Sequence, residues 1–362
     1  MKALSILFTI ALLTLSGCKS SGPNIVRSGR LEYNKALAQS ASEQLLLNIV
    51  KMRFLDHPVF LKVTSMSSNI SFESQIGSET TGIFNTTAFP TSFSPQFTWK
   101  DNPTVTYEEL TGAEYVRQLL SPIPADTIVL MLQSWSADIV LALAVNEINN
   151  VNNMWNPVNP GFNAAAEQEH EHFTQIIKTI QQLDAQRTLE WSVTRSSSTS
   201  SSTLDTAILL NHPNDSKTQK LVNQFLTSLG LSEAEHTPTT FAVEYGVESK
   251  DDATIVFGTR SIRDILFFAS LDVDIPRSEI DSAVPLIPHW DNVNRDRMLH
   301  IKSSESEPIN AAVAIPYRGY WYFIENNDMQ SKATFLFMQV LMGMQSGATS
   351  SGSPVLTIPI SS

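Results

Sequence analysis

Hydrophobic positions change period several times along the chain, and each change marks an element. Ala3 to Leu15 is an apolar run without a charge. Leu31 to Phe54 has helical spacing: Leu31, Leu37, Ala41, Leu45, Ile49 and Met52 lie on one stripe, widened by Leu46, Leu47 and Val50. Lys51 and Arg53 suit its C-terminal dipole, and Asp56-His57-Pro58 stops it. From Val59 to Tyr107 the period falls to two. Val59, Leu61 and Val63 alternate with their neighbours, as do Ile70, Phe72 and Ile76, and later Phe93, Phe97 and Trp99. No charge lies between Thr80 and Trp99. Two extended arms with an uncharged tip predict a long β-hairpin over residues 59–107.

Beyond it, Thr111–Leu120 reads as a helix, and Asp126–Asn149 as two buried helices joined near Ser134-Trp135-Ser136, with a strand as the alternative for the second half. Asn149 to Gly161, rich in Asn and Pro, is the expected domain boundary. Helices are predicted at Ala164–Leu183, Ser216–Leu229 (closed by Gly230) and Ser261–Leu271. Strands are predicted at Leu189–Val193, Thr206–Leu210, Thr240–Val247 and Thr254–Gly258. Ser196–Thr203 reads as an exposed loop. Met298–Lys302, Ala311–Pro316 and Tyr320–Glu325 read as an antiparallel meander turning at Tyr317-Arg318-Gly319. Asp328 then caps a helix over Met329–Met344, and Val355–Ile360 closes the chain as a strand. No repeat of 20–50 residues occurs. The expected fold is α+β, with mixed helices and antiparallel sheets in two associated parts, 31–160 and 161–362.

The apolar run at the start follows Lys2 and ends in Leu15-Ser16-Gly17-Cys18. That is the layout of a secretory signal, and its last four residues resemble the bacterial lipobox, in which the cysteine is acylated and becomes the first residue of the mature chain. The run falls short of the roughly 20 residues a spanning helix needs. Residues 1–17 are thus expected to be removed and 18–30 to form an acylated tether. Each buried methylene of an acyl chain contributes about 0.8 kcal/mol, so two or three chains give a stable anchor. Lys19 follows the cysteine. Aspartate there commonly retains lipoproteins in the inner membrane, so by resemblance to that sorting rule the destination is the outer membrane, on its periplasmic face.

Cys18 is the only cysteine, so no disulfide staples the fold, and a chain of 362 residues with 42% hydrophobic content must hold by its core. Loss of Lys2 with the signal takes the net charge from −12 to −13. Acidity of that size argues against nucleic acid and against docking on anionic headgroups. Anchoring must come from lipid or from an inserted element.

Candidate chemistry is sparse. Glu167, Glu169, His170, Glu171 and His172 are the densest group of potential ligands, but the spacing is not that of a zinc protease, and a solvated helix start is the preferred reading. The remaining histidines are dispersed. No nucleophile elbow, phosphate loop, dinucleotide fingerprint or calcium loop occurs, and neither cofactor nor metal is expected. Asp126, Asp138 and Glu147 lie in apolar surroundings and are the carboxyls to check for raised pKa values. Tyr317, Arg318, Tyr320 and Trp321 form an aromatic turn able to stack on sugars or anchor a protein, or simply to make cross-strand pairs. With Phe93, Phe97 and Trp99 they are the candidate interaction residues.

Several stretches resemble a family of uncharacterised proteobacterial outer-membrane lipoproteins. They are Ser42-Glu43-Gln44-Leu45-Leu46-Leu47-Asn48 with Arg53, Pro103-Thr104-Val105-Thr106-Tyr107, and Thr259-Arg260-Ser261. Tyr317-Arg318-Gly319-Tyr320-Trp321 follows, then Asp328, Ser331-Lys332 and Thr334-Phe335. The resemblance implies a lipid-anchored envelope protein and brings no activity with it.

The leading expectation is a non-enzymatic structural or accessory subunit of an envelope assembly such as a secretion or export apparatus, with protein partners or copies of itself. An oligomeric pore inserting the 59–107 hairpin is the alternative; Pro90 and Pro95, which remove ladder donors, count against it. A periplasmic hydrolase or carbohydrate-binding protein is third.

Overall fold

The computed structural model describes residues 21–78, 93–110, 112–153, 164–195, 204–211, 213, 215–232, 239–249, 251–281 and 297–347. The lipobox, the tip of the hairpin, the Ser/Thr loop at 196–203 and the final strand expected at 355–360 lie outside them. The fold is α+β, with nine helices and eleven strands among the described residues. It divides into two compact units, Val59–Val116 and the remainder.

The smaller unit holds β1 (Leu61–Ser78) and β2 (Phe93–Glu109), paired antiparallel from Leu61–Glu109 to Ser78–Phe93 with one irregularity between Val63 and Ser65. At 18 and 17 residues they are about three times the usual strand length of roughly 5–6. Phe60 O accepts from Leu110 N at 2.9 Å, and the Phe60 and Tyr115 rings meet at 6.1 Å. Helix α2 (Ala113–Leu120) follows.

The larger unit begins with α1 (Ser21–Arg53), ten residues longer at its start than the hydrophobic stripe predicts. The expected tether therefore continues as helix. Pro23 falls in the first turn, where a missing N–H breaks no intrahelical bond. Only the second half is interior: Leu45, Leu46, Ile49, Val50 and Met52 are buried, whereas residues from Leu31 to Ala41 are largely exposed. This half packs on α7 (Ile262–Ser270) and β10 (Ala311–Tyr317).

Helices α3 (Ala125–Leu132) and α4 (Ala137–Ala144) are short and apolar, and α4 passes into β3 (Val145–Ile148) without an intervening residue. The second half of Asp126–Asn149 is thus both helix and strand. β4 (Val151–Asn152) follows through Asn149 and Asn150, both at positive φ. Next come α5 (Ala164–Ala185), β5 (Leu189–Arg195), β6 (Leu204–Leu210), α6 (Ser216–Ser228), β7 (Thr239–Tyr245) and β8 (Thr254–Thr259). One six-stranded sheet takes the order β4-β3-β8-β7-β6-β5. β3 and β8 flank the expected boundary near residue 160 yet are sheet neighbours, so that boundary does not divide the chain. α3 covers β5, β6 and β7, and α5 packs on α4 and α6. Phe173 and Phe225 are wholly enclosed there.

β7 and β8 run parallel across a connection of only eight residues, 246–253. Parallel neighbours usually need a crossover of a dozen or more. Here the register sets Ala242 beside Thr254, so the chain returns only a few residues' length. Ser249 Oγ donates to Thr254 O at 2.8 Å, and Ala253 N to Asp251 Oδ1 at 3.0 Å, which pins the return.

After α7 come α8 (Arg277–Asp281), β9 (Lys302–Ser304), β10, β11 (Tyr320–Glu325) and α9 (Met329–Gly347). The first strand starts four residues later than expected, because Ile301 bridges to Val273. The order is β10-β11-β9, so this sheet is not a sequential meander: β11 takes the centre, with its Tyr322 and Ile324 buried.

Asp328 caps α9, accepting from Ser331 N at 3.0 Å and Ser331 Oγ at 2.7 Å. Burial raises its pKa, but the two Ser331 hydrogen bonds, with His300 and Lys302 nearby, hold it below the usual 3.8 on balance. A lowered folded value means that the contribution is complete above the unfolded value and is lost as pH falls through the folded one. Asp328→Asn should therefore flatten the loss of stability between about pH 5 and pH 3. Urea midpoints of the Cys18→Ser protein across that range check it; equal slopes would refute the assignment.

Candidate functional site

The residues with most to do in the interior are Thr259-Arg260-Ser261, where β8 ends and α7 begins. Because α4 runs straight into β3, its last carbonyls are left inside the protein. Arg260 N donates to Ala144 O at 2.8 Å; its guanidinium donates to Ala142 O at 2.7 Å, Leu143 O at 3.0 Å and Asn153 O at 3.3 Å. Asn153 Nδ2 adds bonds of 2.8 Å to Ala142 O and to Val145 O. The Phe268 ring lies 4.5 Å from the guanidinium carbon. Burial pulls the guanidinium down to about 9, opposed by Asp264, so it stays a cation at neutral pH. Positive charge at a helix C-terminus is the favourable arrangement. On either side Thr259 Oγ1 donates to Ile123 O at 2.5 Å, and Ser261 caps α7.

Beside this knot is a cavity of about 830 Å³, bordered by Ala142, Asn153 and Phe268 and by Asp138, His170, Glu171, His172, Lys178, Arg297 and Gln330. It falls within the range of small-molecule sites. Asn153 is buried, and its Oδ1 makes no hydrogen bond among the described residues. His170, Glu171 and His172 thus gather on the cavity wall, while Glu169 turns to Asn152 Nδ2 at 3.1 Å. The side chain of Glu167 lies outside the described residues, and among those described no group of three or more His, Cys, Asp or Glu could hold a metal. The arrangement can hydrogen-bond a polar solute and offers both signs of charge.

Of the three carboxyls to check, Asp126 accepts from Thr127 N at 2.6 Å, and Asp138 accepts from Ser136 Oγ. Glu147 is raised above its usual value by burial and by Glu169, against a lowering bond from the Asn150 backbone.

The aromatic turn is used within the chain. Arg318 and Gly319 both have positive φ, as a two-residue hairpin requires, and Tyr317 faces Tyr320 across it. The Tyr317 hydroxyl donates to Asp56; burial, with that bond added, pushes it up to about 12. Arg318 Nε donates to Glu279 Oε2 at 3.1 Å, and its guanidinium carbon lies 5.1 Å from the Phe54 ring centroid. Tyr320 OH shares a hydrogen bond of 2.5 Å with Ser278 Oγ, and Trp321 is half-buried on β11. Tyr317, Arg318 and Tyr320 tie the end of α1 and α8 to the small sheet. Phe93, Phe97 and Trp99 occupy β2, in register with Ser78, Ser74 and Phe72. The hairpin sheet contains β1 and β2 alone among the described residues. No helix among the described residues is long and apolar enough to cross a membrane.

Thr259-Arg260-Ser261 is one of the stretches that carry the family resemblance, which gives it no role, and Asn153 belongs to no motif in the sequence. Arg260→Met should lower stability by about 2–5 kcal/mol, since the Leu143 and Asn153 carbonyls lose the guanidinium donors while Ala142 O keeps only Asn153 Nδ2. Arg260→Lys should recover only part, because one ammonium nitrogen cannot occupy the positions of both guanidinium Nη atoms. Urea unfolding of the Cys18→Ser protein reads both, and full rescue by lysine would count against the geometry. No protein-family model, curated protein or solved structure matches this chain.

Proposed function

We propose that the chain is a non-enzymatic lipoprotein, held in the bacterial outer membrane by acylated Cys18 and facing the periplasm, that serves as a structural or accessory subunit of an envelope assembly for secretion or export. The observation that carries this reading is the β1–β2 unit. A two-stranded ribbon is marginal in water, and one of this length is not needed to close a core. Its natural use is to pair with something else. The lipobox supports the location, and the lack of a catalytic motif supports a non-enzymatic role. Deleting residues 77–96 should leave the thermal unfolding of the larger unit unchanged while abolishing the crosslinked complex formed in cells. An intact complex in the deletion variant would overturn the reading.

One observation favours a second reading, a periplasmic ligand-binding or hydrolytic protein: the cavity beside Asn153 with His170 and Glu171 on its wall. On this reading soluble saccharide and peptide fragments of the cell wall should perturb the His170 and His172 ring signals in NMR, and His170→Ala with Glu171→Ala should abolish binding. Unperturbed signals across both fragment sets would remove it.

A further inference from the structure

The register of the β1–β2 ribbon separates its residues by chemistry more sharply than alternation along either strand alone. In an antiparallel pair, directly opposed residues share a face, and successive pairs alternate between faces. From Ser65–Thr106 onward one set of pairs is Ser67–Thr104, Asn69–Asn102, Ser71–Lys100, Glu73–Thr98, Gln75–Gln96 and Gly77–Ser94. No position in that set is apolar apart from glycine. The intervening set begins with Met66–Val105 and includes Phe72–Trp99, Ser74–Phe97, Ile76–Pro95 and Ser78–Phe93. Its one charged residue is Asp101, opposite Ile70. From Phe72–Trp99 to the last described pair it carries none, and the sequence joining the strands, residues 79–92, has Glu79 as its single charge.

A core-packed edge has no need of this pattern over so great a length. A ribbon with water on one face and acyl chains on the other does, and there the aromatic pair Phe72–Trp99 stands next to the charged level, where interfacial girdles sit. A lone hairpin cannot enter lipid, because the outer backbone groups of both strands would be unsatisfied. The partner that completes both edges with matching strand length and matching faces is the same ribbon from another copy. Pro95 and Pro103 remove two donors from β2 but leave its carbonyls as acceptors.

We propose that copies of this chain join β1 to β2 around a ring and close a transmembrane barrel, with the Phe72–Trp99 set of pairs toward lipid and the Glu73–Thr98 set toward a water-filled lumen. This deepens the assembly reading by making the protein's own copies the partner, and it rests on that reading. The charge on the lumen set, Glu73 and Lys100, balances within each copy, so the pore would pass polar solutes with little preference for sign.

The mature chain's only cysteine carries the lipid, so single cysteines can be read without background. In full-length acylated protein reconstituted in phosphatidylethanolamine–phosphatidylglycerol vesicles, Ser71→Cys, Glu73→Cys and Gln75→Cys should react with a membrane-impermeant maleimide. Phe72→Cys, Ser74→Cys and Ile76→Cys should react at least tenfold more slowly until the protein is denatured. Ser74 against Gln75 is the sharp pair, since both natural residues are polar and only the register separates them. Planar bilayers should show conductance with wild-type protein and none with the 77–96 deletion. Uniform reactivity along β1, or a monomer without conductance, would overturn the barrel. If that happens while the deletion still abolishes the crosslinked complex, the assembly reading survives alone; if the complex also persists, both fall.

Discussion

The larger unit depends on how it disposes of the carbonyls at the end of α4. A helix that turns into a strand with no loop between leaves its last acceptors inside the protein, out of reach of water. Arg260 and Asn153 answer this from two distant points in the chain, and the answer fixes much else. It brings the β8–α7 junction against α4, which sets β3 beside β8 and so builds the centre of the six-stranded sheet. It also shapes one side of the cavity bordered by Ala142, Asn153 and Phe268.

The two units are stabilised by different means. In the larger, enclosed side chains such as Leu46, Ile49, Phe173 and Phe225 supply the hydrophobic driving force. In the smaller, one long backbone ladder predominates. A ladder of two strands buries little on its own, so the fold alone gives no reason for such length.

Side chains that look available for chemistry are largely committed to structure. Tyr317, Arg318 and Tyr320 spend their polar groups on Asp56, Glu279 and Ser278. Asp328 spends its carboxylate on a helix cap. Glu171 and His172, which local spacing assigns to a solvated helix start, are exposed and also border a cavity. Local sequence says what a residue is able to do, but its neighbours in space decide whether that capacity is already used.

By itself the sequence determined the elements whose period is strong and whose ends are punctuated. The buried half of α1, α5 through α7, the Gly230 stop with φ of +67°, the Asp328 cap and both arms of the hairpin are all local. Each is marked by a period and by end signals that lie within a few residues, where propensity and capping act. Tertiary structure alone decided that β7 and β8 run parallel, that β11 rather than β10 is central, and that residues on both sides of the Asn/Pro stretch share a sheet. It alone matched Arg260 to the carbonyls of α4. Strand order and the pairing of buried polar groups are settled by which distant surfaces satisfy one another, and no window along the chain contains both partners.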